Sequence, residues 1–282
     1  MAEVTAKMIK ELRDRTGVGM SKCKAALSEA SGDMELAINN LRKAGMASAV
    51  KKEGRETKEG QIGTLENDTA VAVAEVNAET DFVVQNEKFG QFVHEICEQV
   101  LENSPASLEE LLEEKYLKDP SLTIEQCRNL MVQSFGENVV IRRVEKIAKE
   151  ADQSIGIYNH MNGKVVTLVI LEGASGQEEF ARHIGMHVAA EDPEYLNPED
   201  VPAEIKAREE EIGREQVKGK PENIVDKIVE GKYRAFCDQV CLNNQKYVKD
   251  NTLSVAQVVE NQGKEIGKPL KIKRFLRWQV GQ

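Results

Sequence analysis

IGTLENDTAVAVAEVNA, residues 62–78, and IGIYNHMNGKVVTLVIL, residues 155–171, share one pattern: a short strand opening on Ile-Gly, a turn, then a longer run of β-formers. A helical pattern follows each. Phe89, Phe92, Val93, Ile96, Cys97 and Val100 recur at helical spacing after the first, and Phe180, Ile184, His187 and Val188 after the second. The correspondence resumes further on, where LTIEQC at 122–127 matches LSVAQV at 253–258 and IRRV at 141–144 matches IKRF at 272–275. The repetition predicts two related α+β core subdomains, residues 61–150 and 151–282. Strands broken up by helical segments predict antiparallel sheets covered by helices rather than a regular βαβ series.

The two copies differ where strand passes into helix. The second crosses with EGASGQEE, small and polar, whereas the first uses ETDFVVQNEK, two residues longer and carrying Phe82, Val83 and Val84. The fold therefore does not require an aromatic there. Either Phe82 folds back as a core plug, or it is an apolar binding element on a loop held between a strand and a helix.

Working outward, residues 1–50 read as a three-helix module. Thr5 is placed to cap the first helix, with Ile9 and Leu12 inward. Ser21 would cap the second, with Cys23, Ala26, Leu27 and Ala30, and Asp33 the third, with Ala37, Ile38 and Leu41. TGVGM at 16–20 puts two glycines around a turn, leaving Val18 and Met20 in the loop either to staple the turn to the bundle or to meet a partner. KKEGRETKEG at 51–60 is almost without apolar residues and reads as a charged linker. In the second copy, residues 203–240 read as an antiparallel helical hairpin turning near 218–223. Ile205 and Ile212 lie on one arm, and Ile224, Val225, Ile228 and Val229 on the other. So thin an arm has little core of its own, which suggests contact with a partner or a homodimer.

With 48 acidic against 38 basic residues and a formal charge of -10, the chain lacks the basic excess of a large nucleic-acid footprint. A protein or small-molecule partner is expected. The five cysteines are odd in number and follow no C-x-x-C spacing, so they read as reduced core residues. MAEVTAKMIKELRDR lacks the apolar stretch of a signal peptide, and no run approaches a membrane span, which predicts a cytoplasmic protein.

Catalytic motifs are missing: there is no G-x-x-x-x-G-K-[ST], no G-x-G-x-x-G after a strand, no G-x-S-x-G and no H-E-x-x-H. His183 and His187, four apart on a helix, could present two metal ligands but have no obvious third, and both positions read as half-buried. His160 lies in the hairpin YNHMNG, where an exposed role is expected. Asp81 has no neighbouring acid or histidine to form an acid/base pair. No catalytic residue, metal or cofactor is assigned.

TGVGMSKCKAAL (16–27), GDMELAINNLRKAG (32–45), EVNAETDFV (75–83), GENVVIRRV (136–144), HIGMHVAA (183–190) and KPENIVDKIVEGK (220–232) together resemble, in order, the elongation factor Ts family. These are guanine-nucleotide exchange factors of bacterial elongation factor Tu. The resemblance implies a ubiquitin-associated-like N-terminal domain, a core of two related subdomains and an inserted coiled-coil hairpin. It implies that Thr80, Asp81, Phe82 and Val83 enter the partner's nucleotide domain and dislodge Mg²⁺ from bound GDP, with Phe82 as a wedge. It further implies that Val18, Gly19, Met20 and Lys24 touch the nucleotide domain and that Phe135, Gly136 and His160 lie in the core contact surface. Residues 102–133 have no residue-by-residue match, Phe135 stands where an aliphatic residue is common, and some members continue past the equivalent of RWQVGQ into a further helical module. A ubiquitin-like-binding adaptor, resting on the N-terminal bundle alone, and a metal-dependent hydrolase using His183 and His187 are the rival readings.

Overall fold

The computed structural model describes residues 4–217, 219 and 221–282. They form two compact units: Met1–Ala148 with Gln279–Gln282, and Lys149–Trp278. Helices and antiparallel sheets occur in both, an α+β architecture.

The first unit opens with α1 (Ala6–Thr16), α2 (Met20–Glu29) and α3 (Met34–Val50). Thr5 Oγ1 accepts from the Met8 amide and Asp33 from the Leu36 amide, so both caps are those read from the sequence. Ser21 is not a cap. Its helix begins one residue earlier, with Gly19 as N-cap and no side-chain capping bond, which leaves Ser21 inside the first turn. Leu12, Cys23, Ala26, Leu27, Ala30, Ala37, Ile38 and Leu41 are buried as expected, while Ile9 is half-buried.

β1 (Glu59–Glu66) begins inside the stretch read as linker, because Glu59 and Gly60 already pair with Ala78 and Asn77 of β2 (Ala70–Ala78). β2 is the central strand, flanked by β1 and by β3 (Val139–Ala148). Every residue of β2 is buried, which is why its sequence is a near-continuous run of small and β-branched residues. After it come α4 (Asp81–Val84) and α5 (Glu87–Asn103), which packs on the sheet through Phe89, Phe92, Val93, Ile96, Cys97 and Val100. Gly63 shows how close that packing is: a Cβ there would lie 2.6 Å from Val93 Cγ1 and 3.0 Å from Cys97 Sγ. The sequence-unmatched stretch supplies α6 (Leu108–Glu113) and α7 (Ile124–Phe135), and α7 packs along α3.

The second unit has its own sheet, ordered β4 (Gln153–His160), β5 (Val165–Glu172) and, after later elements, β8 (Lys271–Gln279). α8 (Glu178–Glu191) lies across β4 and β5, and a Cβ on Gly156 would collide with the Arg182 backbone. α9 (Ala203–Gln216) and α10 (Glu222–Val240) pack as a hairpin; Lys218 and Lys220 of the turn read between them lie outside the described residues. Its base is sealed by Val201, Cys237 and Cys241. Further out Gly213 faces Val229, while Ile212 and Ile224 are exposed. A two-stranded ribbon, β6 (Lys246–Tyr247) with β7 (Asp250–Ser254), leads into α11 (Val255–Ile266) and then β8.

α7 and α11 both start in a complete capping box, Thr123 with Gln126 and Ser254 with Gln257. All five cysteines are free, four of them buried. Burial pushes the Cys97, Cys127 and Cys241 thiols up to about 12, far from the thiolate needed for reactivity.

Candidate functional site

Where β2 ends, the chain does not run on as a loop. Residues 81–84 form the single helical turn α4, which splits DFVV between two environments. Phe82 is 81% exposed, whereas Val83 beside it is 8% exposed and belongs to the core of the unit. Val83 is thus corrected from an outward-facing to an inward-facing side chain. The physical reason is the helical turn, which rotates successive side chains by about 100° and so sends two neighbouring apolar residues to opposite fates. Asp81 is exposed and its Oδ2 accepts from Gln85 Nε2 at 3.4 Å.

The turn is held from β3's side by two crossed carboxylates. Thr80 donates to Glu137 twice, from its amide at 3.0 Å and from Oγ1 at 2.7 Å. In the opposite sense, Glu79 Oε1 accepts the Asn138 amide at 2.6 Å and Arg55 Nη1 at 3.3 Å. Asn138, buried, donates from Nδ2 to the carbonyls of Glu53 and Arg55, which ties the charged segment to the same corner. Glu79, Glu137, Asn138 and Arg55 were not singled out by sequence reasoning. The register brings the first three together: Ala78 pairs with Val139, so the residues just after β2 meet those just before β3, a pairing the sequence does not announce.

Glu137 follows the end of α7, where Gly136 closes the helix at φ 78° and the Phe135 ring packs on Phe89 with centroids 6.4 Å apart. Phe135 is half-buried and Gly136 exposed. Two ammonium groups meet the carbonyl end of this helix, Lys22 Nζ on Gln133 O at 3.0 Å and Lys52 Nζ on Val132 O at 3.4 Å, where the helix dipole favours positive charge. Burial, with repulsion from Arg55 and Lys22, lowers the Lys52 pKa. Ser134 Oγ donates to Gly17 O at 2.8 Å, so the TGVGM turn is fastened to α7 as well. In that turn Val18 is fully buried, so of the two readings its side chain takes the staple and not the partner contact, and Cys23 Sγ donates to its carbonyl at 3.2 Å. Gly19, Met20 and Lys24 are the exposed members of that set, Met20 at 57%.

His160 belongs to the second unit. It is exposed at the end of β4, with Nδ1 3.1 Å from Tyr158 Oη, beside a turn that exposes Met161 and holds Met161, Asn162 and Gly163 at positive φ. His187, expected half-buried, is fully buried. The Val248 amide donates to its Nδ1 at 3.2 Å, so Nε2 carries the hydrogen and donates to Gln245 Oε1 at 3.0 Å. Both ring nitrogens are thus committed to the fold, and burial lowers the imidazole pKa. His183 is half-buried and contacts Glu179 at 3.2 Å. Among the described residues no cluster of three or more His, Cys, Asp or Glu could hold a metal ion, and no helix is long and apolar enough to cross a membrane.

Fold and site together define an α+β protein bearing an outward aromatic on a carboxylate-pinned turn. A family model described as Elongation factor TS matches residues 79–282. Elongation factor Ts of Protochlamydia amoebophila (strain UWE25) is 56% identical over 282 residues, covering 100% of both chains. Those of Chlamydia muridarum (strain MoPn / Nigg) and Chlamydia caviae (strain ATCC VR-813 / DSM 19441 / 03DC25 / GPIC) are 41% and 42% identical over 281 residues, again covering 100% of both chains. The chain belongs to the elongation factor Ts family.

Proposed function

We propose that this chain is a guanine-nucleotide exchange factor, not an enzyme: it binds elongation factor Tu carrying GDP and promotes release of GDP and its exchange for GTP. The observation that carries the reading is Phe82, 81% exposed on a turn that is itself pinned by Glu137. An aromatic left in water on a rigid support gains free energy only when another surface covers it. Covered only while the partner's Mg²⁺ and phosphate site is displaced, it weakens nucleotide binding by its own burial energy, and Asp81 beside it brings negative charge to that site. Coupling of this kind is reciprocal, so nucleotide rebinding must loosen the exchange factor to the same degree.

Met20, Lys24 and Gly19 extend the surface offered to the nucleotide domain, with the Phe135–Gly136 turn and His160 as further contacts. Supporting this organisation, 1–50 reads as a ubiquitin-associated-like module. The regions 61–150 and 151–282 read as duplicated subdomains, each with a glycine beneath its crossing helix and a capping box opening a later one, and 203–240 reads as an inserted arm. An adaptor built on the N-terminal module alone would give the outward Phe82 no role.

The test is release of a fluorescent GDP from elongation factor Tu of a matched bacterium, with catalytic amounts of this chain and excess unlabelled GTP or GDP. Acceleration of release with either competitor is expected, since an exchange factor does not choose direction. Release at the spontaneous rate would overturn the proposal.

A further inference from the structure

Helix α4 has only four residues, too few to nucleate and hold a helix in water. Two things outside the turn hold it. One is burial of Val83, and the other is the double donation from Thr80 to Glu137, whose carboxylate comes from the segment joining α7 to β3. The Thr80 hydroxyl accepts no capping bond from its own helix, and it donates its proton to Glu137. A hydrogen bond to a carboxylate is stronger than one between neutral groups. Glu79 adds the reverse bond to Asn138, so the two chain segments fix each other.

Resting on the exchange function proposed above, we propose that Glu137 is the positioning residue of the Phe82 turn and that Thr80 is its anchor, acting inside this chain rather than as a partner contact. Glu137 fixes the orientation of α4 before any partner arrives. Without it the turn samples other conformations, and the competent fraction scales the apparent exchange efficiency directly. Because the effect runs mainly through Phe82, it must shrink when Phe82 is absent.

The experiment is a double-mutant cycle on exchange kcat/KM, combined with amide hydrogen exchange on the free protein. Glu137→Ala is expected to lower kcat/KM about tenfold or more. Glu137→Gln, which can still accept from the Thr80 amide and donate to its hydroxyl, should retain an intermediate value. Thr80→Ser should stay near wild type and Thr80→Val should fall. In a Phe82→Ala background the further loss from Glu137→Ala should shrink to less than about threefold. In the free protein, Glu137→Ala should speed exchange of the Val84 and Gln85 amides while leaving β2 protected.

An equal loss from Glu137→Ala with and without Phe82 would overturn the positioning role, as would unchanged Val84 and Gln85 exchange. If Glu137→Ala does not fold, Glu137→Gln and Thr80→Val carry the same cycle. Should wild type fail to accelerate nucleotide release, the exchange function falls, while the hydrogen-exchange arm still decides whether Glu137 holds the turn.

Discussion

Phe82 and Val83 are adjacent, both apolar, and predicted to behave oppositely when truncated. Full burial of a phenylalanine contributes about 1.5–3 kcal/mol. With Phe82 already 81% exposed, about four fifths of that remains to be gained on a partner, roughly 1.2–2.4 kcal/mol, or about 8- to 60-fold in exchange efficiency. Its truncation removes almost nothing from the folded chain, so the urea midpoint should move by less than the equivalent of ~0.5 kcal/mol. Val83→Ala deletes two buried carbons, about 1.6 kcal/mol of transfer energy before any cavity effect, and should show the reverse pattern of clear destabilisation. The assay pairs urea unfolding with fluorescent GDP release from elongation factor Tu, run on both variants. A Phe82→Ala protein that unfolds early would show the ring to be a core plug. One that folds normally and exchanges at the wild-type rate would refute the wedge.

Gly156→Ala should destabilise the chain by about 2 kcal/mol or more in urea unfolding, because its Cβ meets the Arg182 backbone, and Gly63→Ala by about 1–3 kcal/mol, because Val93 can give way. Glu75 is fully buried and paired with Arg143 at 2.7 Å, and also accepts the Gly281 amide at 3.0 Å, so Glu75→Ala should cost about 3 kcal/mol by the same measurement. His187 has a depressed folded pKa, with Glu191 opposing the dominant effect of burial. The unfolded chain therefore binds a proton first as pH falls. The neutral-imidazole contribution is present in full above about pH 6.5 and is lost as pH falls below it, so unfolding free energy followed from pH 7.5 to 5 should decline, less steeply in His187→Gln. Cys97, Cys127 and Cys241, with thiols pushed up to about 12, should react with an aromatic disulfide reagent only after denaturation.

The repeated Ile-Gly phrase was legible because its glycine answers a repeated physical demand: Gly63 and Gly156 each sit where a helix crosses a strand too closely for a side chain. The capping boxes at Thr123 and Ser254 were visible as matching segments for a similar reason, since short-range hydrogen bonds leave fixed spacings. Ser21 failed as a cap because Gly19 takes that position two residues upstream, and nothing local separates the two choices. Whether Val18 staples the turn or meets a partner stayed open in the sequence, because two flanking glycines signal a turn without saying which way its side chains face. The Phe82–Val83 division depended on whether residues 81–84 form a loop or a helical turn. A four-residue helix is too short to leave a periodicity. Glu137 lies more than fifty residues from Thr80, and only the β2–β3 register brings them together.

The corresponding corner of the second unit shows what this arrangement adds. There the chain leaves β5 through Gly173, at φ 110°, where a Cβ would collide with the Pro269 carbonyl, and Ser154 Oγ pins the crossing by donating to Ala174 O and accepting from the Gln177 amide. That corner is closed by backbone packed against backbone, and between β5 and α8 it carries no exposed apolar side chain, since Ala174 is buried. In the first unit the two extra residues make room for one helical turn, Val83 seals the space beneath it, and Glu137 replaces the serine pin with a carboxylate. A flexible loop carrying the same phenylalanine would lose backbone entropy on ordering, about 1–2 kcal/mol per residue, comparable with everything the ring gains on burial. Only a turn ordered in advance leaves that gain available to act on a partner. On the proposed function, the exposed ring in ETDFVVQNEK and the Glu137 pin, supplied from the segment before β3, act as one device.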